Sequence, residues 1–340
     1  MNLNKKATVL MPVYNGEQYL KEAIFSVLTQ SYSQFDLLII NDGSTDSSNY
    51  IIKQFKDERI KYIENSQNMG LISTLNRGLK LIKGDYILRM DQDDICSPRR
   101  FEKQILFMDN NRDVAVCGTG VEVFGDGVKK KIYRNKFSSD TIKTYLLFFC
   151  VVMHPTVILR NSLIKSGGFT YNETYNSVED FGLWQLISFS GRICNIPEVL
   201  LKYRINITGI TFNADKNVAM RDKQHGLVYR QGLLHLGITG NDDEILLLRK
   251  FIIGNLLVSE ISTNFMFFLL DILNACNSNG YNRQLVSYFF SGMYCRSAIN
   301  NRYSFKDFFK LYDSYCSFVF SLNYQHVIKF ILFYMLRLFR

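Results

Sequence analysis

The sequence predicts an α/β fold, a Rossmann-like mixed sheet flanked by helices, with an α-helical extension at the C-terminus. Three observations predict it. Between residues 7 and 94, short apolar runs alternate with amphipathic ones, the arithmetic of βαβ units. Acidic segments stand where apolar runs give out: Asn41-Asp42-Gly43-Ser44-Thr45-Asp46, Asp91-Gln92-Asp93-Asp94 and Glu179-Asp180. After about residue 213 the strand signal fades and long apolar and aromatic helical segments take over.

In chain order, strands are expected at 8–13, 35–40, 60–63 and 86–90, with helices at 17–30, 47–55 and 72–82 between them. The first helix carries Leu20, Ile24, Val27 and Leu28 at three- and four-residue spacing, one stripe to lay on a sheet, while Glu17, Lys21 and Glu22 lie off it. Asn15 is the expected N-cap of that helix. Gly84, following the stripe Leu75, Leu79, Ile82, is expected to close the third helix in a left-handed conformation. Strands at 114–123, 156–159 and 199–203 and helices at 98–108, 139–149 and 180–188 read as a continuation of the same sheet. Helices at 245–257, 265–275 and 326–339 mark the extension. The domain reading is 1–110 and 111–212 as two halves of one α/β domain, and 213–340 as a helical extension that binds a membrane or forms an oligomer interface.

Composition narrows the class. A chain of 340 residues, 47% hydrophobic and 21% charged, folds as a globular protein with a sizeable core. Seven scattered cysteines with no CxxC pair argue against zinc and against a closed disulfide framework, which points to a reducing compartment. The first apolar run is broken by Pro12 and Asn15, so neither a signal peptide nor a membrane span is expected there, and a cytoplasmic location follows. The net charge of +9 suits an anionic partner, and its dispersal disfavours nucleic acid.

Carboxylates gathered at strand ends suggest a divalent cation and a phosphate-bearing ligand, because an open α/β sheet binds ligands beyond the carboxyl ends of its strands. With the residues quoted above, Val9-Leu10-Met11-Pro12-Val13-Tyr14-Asn15, Ile39-Ile40-Asn41-Asp42-Gly43-Ser44-Thr45-Asp46 and Arg89-Met90-Asp91-Gln92-Asp93-Asp94, the chain resembles a family 2 glycosyltransferase of the inverting GT-A fold, of the kind that builds bacterial capsule, O-antigen and cell-wall polysaccharides. The resemblance runs over about residues 7–205 and takes in His154-Pro155, Gly167-Gly168-Phe169, Glu179-Asp180 and Tyr203-Arg204.

It implies that Pro12, Val13, Tyr14, Asn15 and Glu17 line the nucleotide base and ribose, and that Asp42 accepts a hydrogen bond from the base. Asn68, Gly70 and Asn76 would border the donor. Asp91-Gln92-Asp93 would be the DxD motif, with Asp93 and Asp91 holding Mn²⁺ or Mg²⁺ against the diphosphate and Asp94 as a substitute. A hard cation of this type prefers oxygen ligands. Arg89 precedes the motif, and Arg204 would meet the diphosphate under a closing loop. Asp180 would be the general base on the acceptor hydroxyl, with Glu179 as the alternate. His154 reaches the diphosphate or packs in the core, and packing is the preferred reading.

The Gln-x-x-Arg-Trp motif of processive synthases is missing, so transfer of single sugars is expected. The donor would be a nucleotide-diphosphate sugar, a uridine one, and the acceptor a saccharide or lipid-linked saccharide. The C-terminal run of aromatics and cations over 330–340 reads as an interfacial membrane helix or a packed interface, which would put the enzyme at the inner face of the plasma membrane. Two other readings stand beside this one: a nucleotidyltransferase, and a non-catalytic nucleotide-sugar or membrane-binding module. A dehydrogenase is disfavoured because Pro12 to Gly16 is not GxGxxG.

Overall fold

A computed structural model of the chain describes residues 6–206, 209, 217–304 and 306–308. It divides into two compact units, Met1–Asn217 and Val218–Arg340.

The first unit is built on one mixed sheet. Strands β1 (Ala7–Val13), β2 (Phe35–Asn41), β3 (Ile60–Glu64) and β4 (Tyr86–Arg89) are parallel neighbours, connected by helices α1 (Leu20–Leu28), α2 (Ser48–Gln54) and α3 (Leu71–Leu81). The two-residue β5 (Ile95–Cys96) and helix α4 (Arg100–Asn110) lead to β6 (Val114–Phe124), β7 (Lys131–Tyr133) and α5 (Ser139–Tyr145). A 3-10 turn, His154–Thr156, then precedes β8 (Ile158–Arg160), α6 (Asn161–Ser166), α7 (Glu179–Ser188) and β9 (Arg192–Arg204). The strand order is β3-β2-β1-β4-β8-β6-β9-β5, with β7 paired to β6. The expected continuation of the sheet across residue 110 is therefore present.

Direction changes at β8. It runs antiparallel between β4 and β6, while β6 and β9 are parallel. Every residue of β1 is buried, as suits a central strand covered on both faces. On α1, Leu20, Ala23, Ile24 and Val27 are fully buried against that strand's side of the core, each large side chain contributing roughly 1.5–3 kcal/mol. Phe101 of α4 meets Phe35 edge-on at 5.3 Å and closes the same core.

Several expectations are corrected. Helix α1 begins at Leu20, its first turn already closing on the Gly16 carbonyl, and Asn15 does not cap it. Asn15 takes φ +45° and spends its side chain on the neighbouring loop. Gly84 is not left-handed. Helix α3 ends at Ile82 in extended backbone, and Gly84 is glycine because a Cβ there would stand 2.6 Å from the Lys6 carbonyl oxygen. Helix α5 stops at Tyr145, four residues before the expected end.

The second unit holds helices α8 (Val218–His235), α9 (Asp242–Ile252), α10 (Thr263–Ser278) and α11 (Arg283–Asn300). Asn241 opens α9 with a capping box to Glu244, and Ser262 and Asn282 cap the next two. Helix α9 ends five residues before the expected 257, and the chain turns at Gly254, where φ is +71°. Phe251 meets Phe265 and Phe290 edge-on at 6.1 and 5.5 Å and centres this unit's core. The helix expected at 326–339 lies outside the described residues. Among the described residues, no helix is long and apolar enough to cross a membrane.

Candidate active site

Two loops interlock where β1 and β2 end. Asp42 N–H donates to the Val13 carbonyl, extending the pairing that sets Pro12 opposite Ile40 and Val13 opposite Asn41. Asn15 N–H donates to Ser44 Oγ at 3.0 Å, and Thr45 N–H donates back to Asn15 Oδ1 at 2.9 Å. Glu17 N–H donates to Asp46 Oδ2 and Ser47 N–H to Glu17 Oε2, each at 2.9 Å. Gly16 N–H finds Ser48 Oγ at 2.8 Å. Glu17 and Asn15 thus brace the cradle, and the Tyr14 ring stands exposed at its mouth.

Asp42 is buried and its carboxylate is already engaged. Oδ1 accepts from Asn65 Nδ2 at 2.5 Å and from Met69 N–H at 2.9 Å, and Oδ2 accepts from Gly70 N–H at 2.9 Å. One lone pair of Oδ2 is left for a further donor. Asn68 Oδ1 accepts from the same Gly70 N–H at 2.9 Å. Asn76 makes a two-way tie with the backbone of Tyr171, donating to its carbonyl at 2.8 Å and accepting from its N–H at 2.9 Å.

The acidic segment after β4 sorts its members by neighbour. Gln92 ties to the Tyr14 backbone in both directions, at 2.9 and 3.0 Å, which joins this segment to the end of β1. Asp91 pairs with the fully enclosed Arg89, whose Nε has no hydrogen-bond partner. Asp94 points inward. Its Oδ1 accepts from Arg204 N–H at 2.8 Å, its Oδ2 has no hydrogen-bond partner among the described residues, and burial together with the Asp91 and Asp93 charges pushes its carboxyl well above the usual range.

Asp93 makes no ion pair among the described residues and has Asn206 Nδ2 at 3.3 Å. Burial and the Asp91 charge push it up to about 6. Arg204 lies between the Tyr19 and Phe124 rings, 4.1 and 4.4 Å from their centroids. Its Nε donates to the Asp93 carbonyl at 2.8 Å and its Nη2 pairs with Glu22 at 2.5 Å, so the structure uses it as a clamp on the acidic loop.

Glu179 and Asp180 open α7. Asp180 Oδ1 accepts from Phe181 N–H at 2.7 Å, and Oδ2 takes the Cys150 thiol at 3.7 Å. Burial raises its pKa above the usual carboxylate range. Burial and the Asp180 charge push Glu179 up to about 7. The Cys150 sulfur is enclosed although the residue is exposed, and burial plus the Asp180 charge keep the thiol protonated. His154 is packed, as preferred: Nε2 lies 2.8 Å from Tyr171 OH, the ring stands edge-on to Trp184 at 5.9 Å, and Nδ1 is 3.9 Å from Glu179. Burial and the Arg89 charge keep its imidazole neutral. The Arg89 charge also bears on Glu179 and Asp180, drawing their carboxyls down against the effect of burial.

Among the described residues, no three His, Cys, Asp or Glu side chains converge as a metal cage. The arrangement fits instead a cation held by one or two carboxylates and completed by substrate phosphates. Asp93, crowded by Asp91 and making no ion pair among the described residues, carries charge of the kind such an ion would satisfy. Sequence reading missed Cys150, Tyr171, Asn65 and Asn206, none of which stands in a patterned segment. Ser44 and Asp46 lay in a quoted segment and Ser48 just after it, but none carried an assigned role.

A profile described as Glycosyl transferase family 2 matches residues 8–167. The putative glycosyltransferase EpsE of Bacillus subtilis is 37% identical over 210 residues, 60% of this chain and 74% of EpsE. The chain belongs to glycosyltransferase family 2. Staphylococcus aureus TarS 1–349 in complex with UDP-GlcNAc superposes on this glycosyltransferase with a TM-score of 0.58 at 18% identity, covering 91% of each chain. The mannosyltransferase PcManGT of Pyrobaculum calidifontis, in complex with GDP-Man and Mn²⁺, does so at 0.51 and 12% identity, over 88% of this chain and 87% of the other. The fold is GT-A, as the sequence implied, and family membership sets aside the nucleotidyltransferase and the non-catalytic module.

Proposed function

We propose that this glycosyltransferase moves one sugar from a uridine diphosphate sugar to a saccharide or lipid-linked saccharide acceptor in surface polysaccharide assembly, inverting the anomeric carbon, at the cytoplasmic face of the plasma membrane. The observation that carries the reading is Arg89. It is buried and pairs with Asp91, and its charge also acts on Glu179 and Asp180, which supports one shared site for phosphate-facing acids and a candidate base.

Residues 1–110 supply the donor half and 111–212 the acceptor half. The Tyr14 ring and the open lone pair of Asp42 Oδ2 suit a base and its ring N–H, with Pro12, Val13, Asn15 and Glu17 shaping the floor. Asn68 and Gly70 fix the rim beside Asp42. Asp93 and Asp91 would hold Mn²⁺ or Mg²⁺, which would neutralise charge on the departing diphosphate. Asp180, held at both oxygens, accepts the proton of the acceptor hydroxyl, and attack from that side inverts the sugar carbon. Asn76, Gln92 and Arg204 act by holding Tyr171, Tyr14 and Asp93 in place.

Thermal unfolding in the presence of nucleotide sugars, with and without Mn²⁺, tests this. A ligand at 100 times its dissociation constant stabilises by about 2.7 kcal/mol. Uridine diphosphate sugars should give such a shift only with the metal, and Asp93→Asn should abolish the metal dependence. A chain that ignores every nucleotide sugar, or a variant that keeps the metal effect, refutes the assignment.

A further inference from the structure

The β6–β7 hairpin carries a surface that neither the donor cradle nor the base uses. Between Gly125 and Phe137 there are five cations, Lys129, Lys130, Lys131, Arg134 and Lys136, and a single acid, Asp126, so this short segment carries a net charge of +4 against +9 for the whole chain. All residues from 129 to 134 are exposed, on both faces of the three-residue β7. Set among the cations, Ile132 is 52% and Tyr133 54% exposed.

We propose that this hairpin docks the enzyme on a bilayer rich in anionic phospholipid. Of the five cations only Lys130 makes an ion pair among the described residues, with Glu122 at 3.7 Å, and at 73% exposure that pair is worth little. The remaining four make no ion pair among the described residues. The cations alone would also suit a dissolved polyanion, but such a partner leaves Ile132 in water. A bilayer interface accommodates both kinds of side chain, phosphate headgroups beside the lysines and the acyl boundary around Ile132 and Tyr133.

The hairpin is also rooted beside the acidic loop. Ile205 N–H donates to the Phe124 carbonyl at 2.8 Å, and the Phe124 ring stacks on Arg204, which holds the Asp93 carbonyl. Docking there brings a membrane to the edge of the same site, where a lipid-linked acceptor would be presented. The docking itself does not depend on the donor or the metal.

The test is co-sedimentation of the full chain with vesicles of phosphatidylcholine alone or mixed with phosphatidylglycerol. The wild-type chain should bind only the mixed vesicles and release in high salt. Changing Lys129, Lys130 and Lys131 together to serine should weaken binding on the order of 100-fold, since each cation near an anionic leaflet contributes about a five-fold factor. Ile132→Ser with Tyr133→Ser should weaken it further, while melting temperature and uridine diphosphate stabilisation stay at wild-type values. If the triple variant does not melt cooperatively, Lys129→Ala with Lys131→Ala should give about a 25-fold loss instead. The proposal fails if wild type ignores phosphatidylglycerol, binds neutral vesicles equally, or binds undiminished after the lysines are removed. It fails equally if Ile132 and Tyr133 prove irrelevant and a soluble polyanion competes fully.

Discussion

The carboxylates beneath β1 and β2 and those beneath β4 and α7 are kept in opposite ways. Asp42 accepts from Asn65 and from the backbones of Met69 and Gly70, and Asp46 from the backbones of Glu17 and Ser48. At Asp46 burial alone would raise the pKa, but the donors from Ser48 and Glu17 outweigh it and hold the carboxyl below its ordinary value. Asp94 and Glu179 are buried and Asp93 and Asp180 half-buried, and in all four desolvation outweighs the donors present and raises the pKa. The first group is satisfied and builds the cradle. The second holds unmet charge, which is what a proton, a cation or a substrate can use.

The sharpest way to break that contrast is Asp180→Asn, which keeps the shape and the acceptor for Phe181 N–H but removes the base. Transfer should fall about 1,000-fold, within the range a positioned base contributes, with donor affinity unchanged by calorimetry. Persisting turnover would move the role to Glu179.

Glu179→Gln probes the same group through stability. In the wild type a carboxyl raised from 4.5 to about 7 binds its proton more tightly when folded, so its contribution is full below the unfolded value and is lost as pH rises through about 7. Urea unfolding should show the variant more stable than wild type at pH 8, by about 3 kcal/mol, and nearly equal at pH 4. A residual slope of the same sign should remain from Asp93 and Asp180. Equal pH dependence in both proteins would mean that Glu179 is not strained by its burial.

On the satisfied side, Asp42→Asn should cost about 2 kcal/mol, because the amide cannot accept at both ends and leaves a buried donor unpaired. A loss confined to nucleotide affinity, with stability intact, would place Asp42 among the chemical group instead.

Much of this was legible from the chain. Alternating strand and helix runs follow from side-chain period, and acids ending buried runs demand an explanation, which is why Asp42, Asp91, Asp93 and Asp180 could be singled out. The partners of those acids could not. Cys150 approaches Asp180 from 30 residues away, and Tyr171 reaches His154 through a turn tied to Asn76, so neither carries a local pattern. The resemblance offered Arg204 as a contact for the diphosphate, whereas its rings come from Tyr19 and Phe124, on distant segments. Asn15 and Gly84 fit general rules for helix ends, but each is occupied by a neighbouring loop or strand that those rules do not see. A strand as short as β8 reads alike in either direction, so its reversal was hidden too.

That reversal has a consequence for how the enzyme can diversify. Because β8 runs against β4, its leading end abuts the trailing end of β4, where Arg89 N–H meets the Val157 carbonyl at 3.0 Å. The segment from 134 to 157 therefore hangs from the same ledge as the acids without belonging to any of the strands that cradle the nucleotide. If that ledge admits the acceptor, as proposed, insertions or deletions there would change which hydroxyl is admitted while leaving β1, β2 and β4 unaltered.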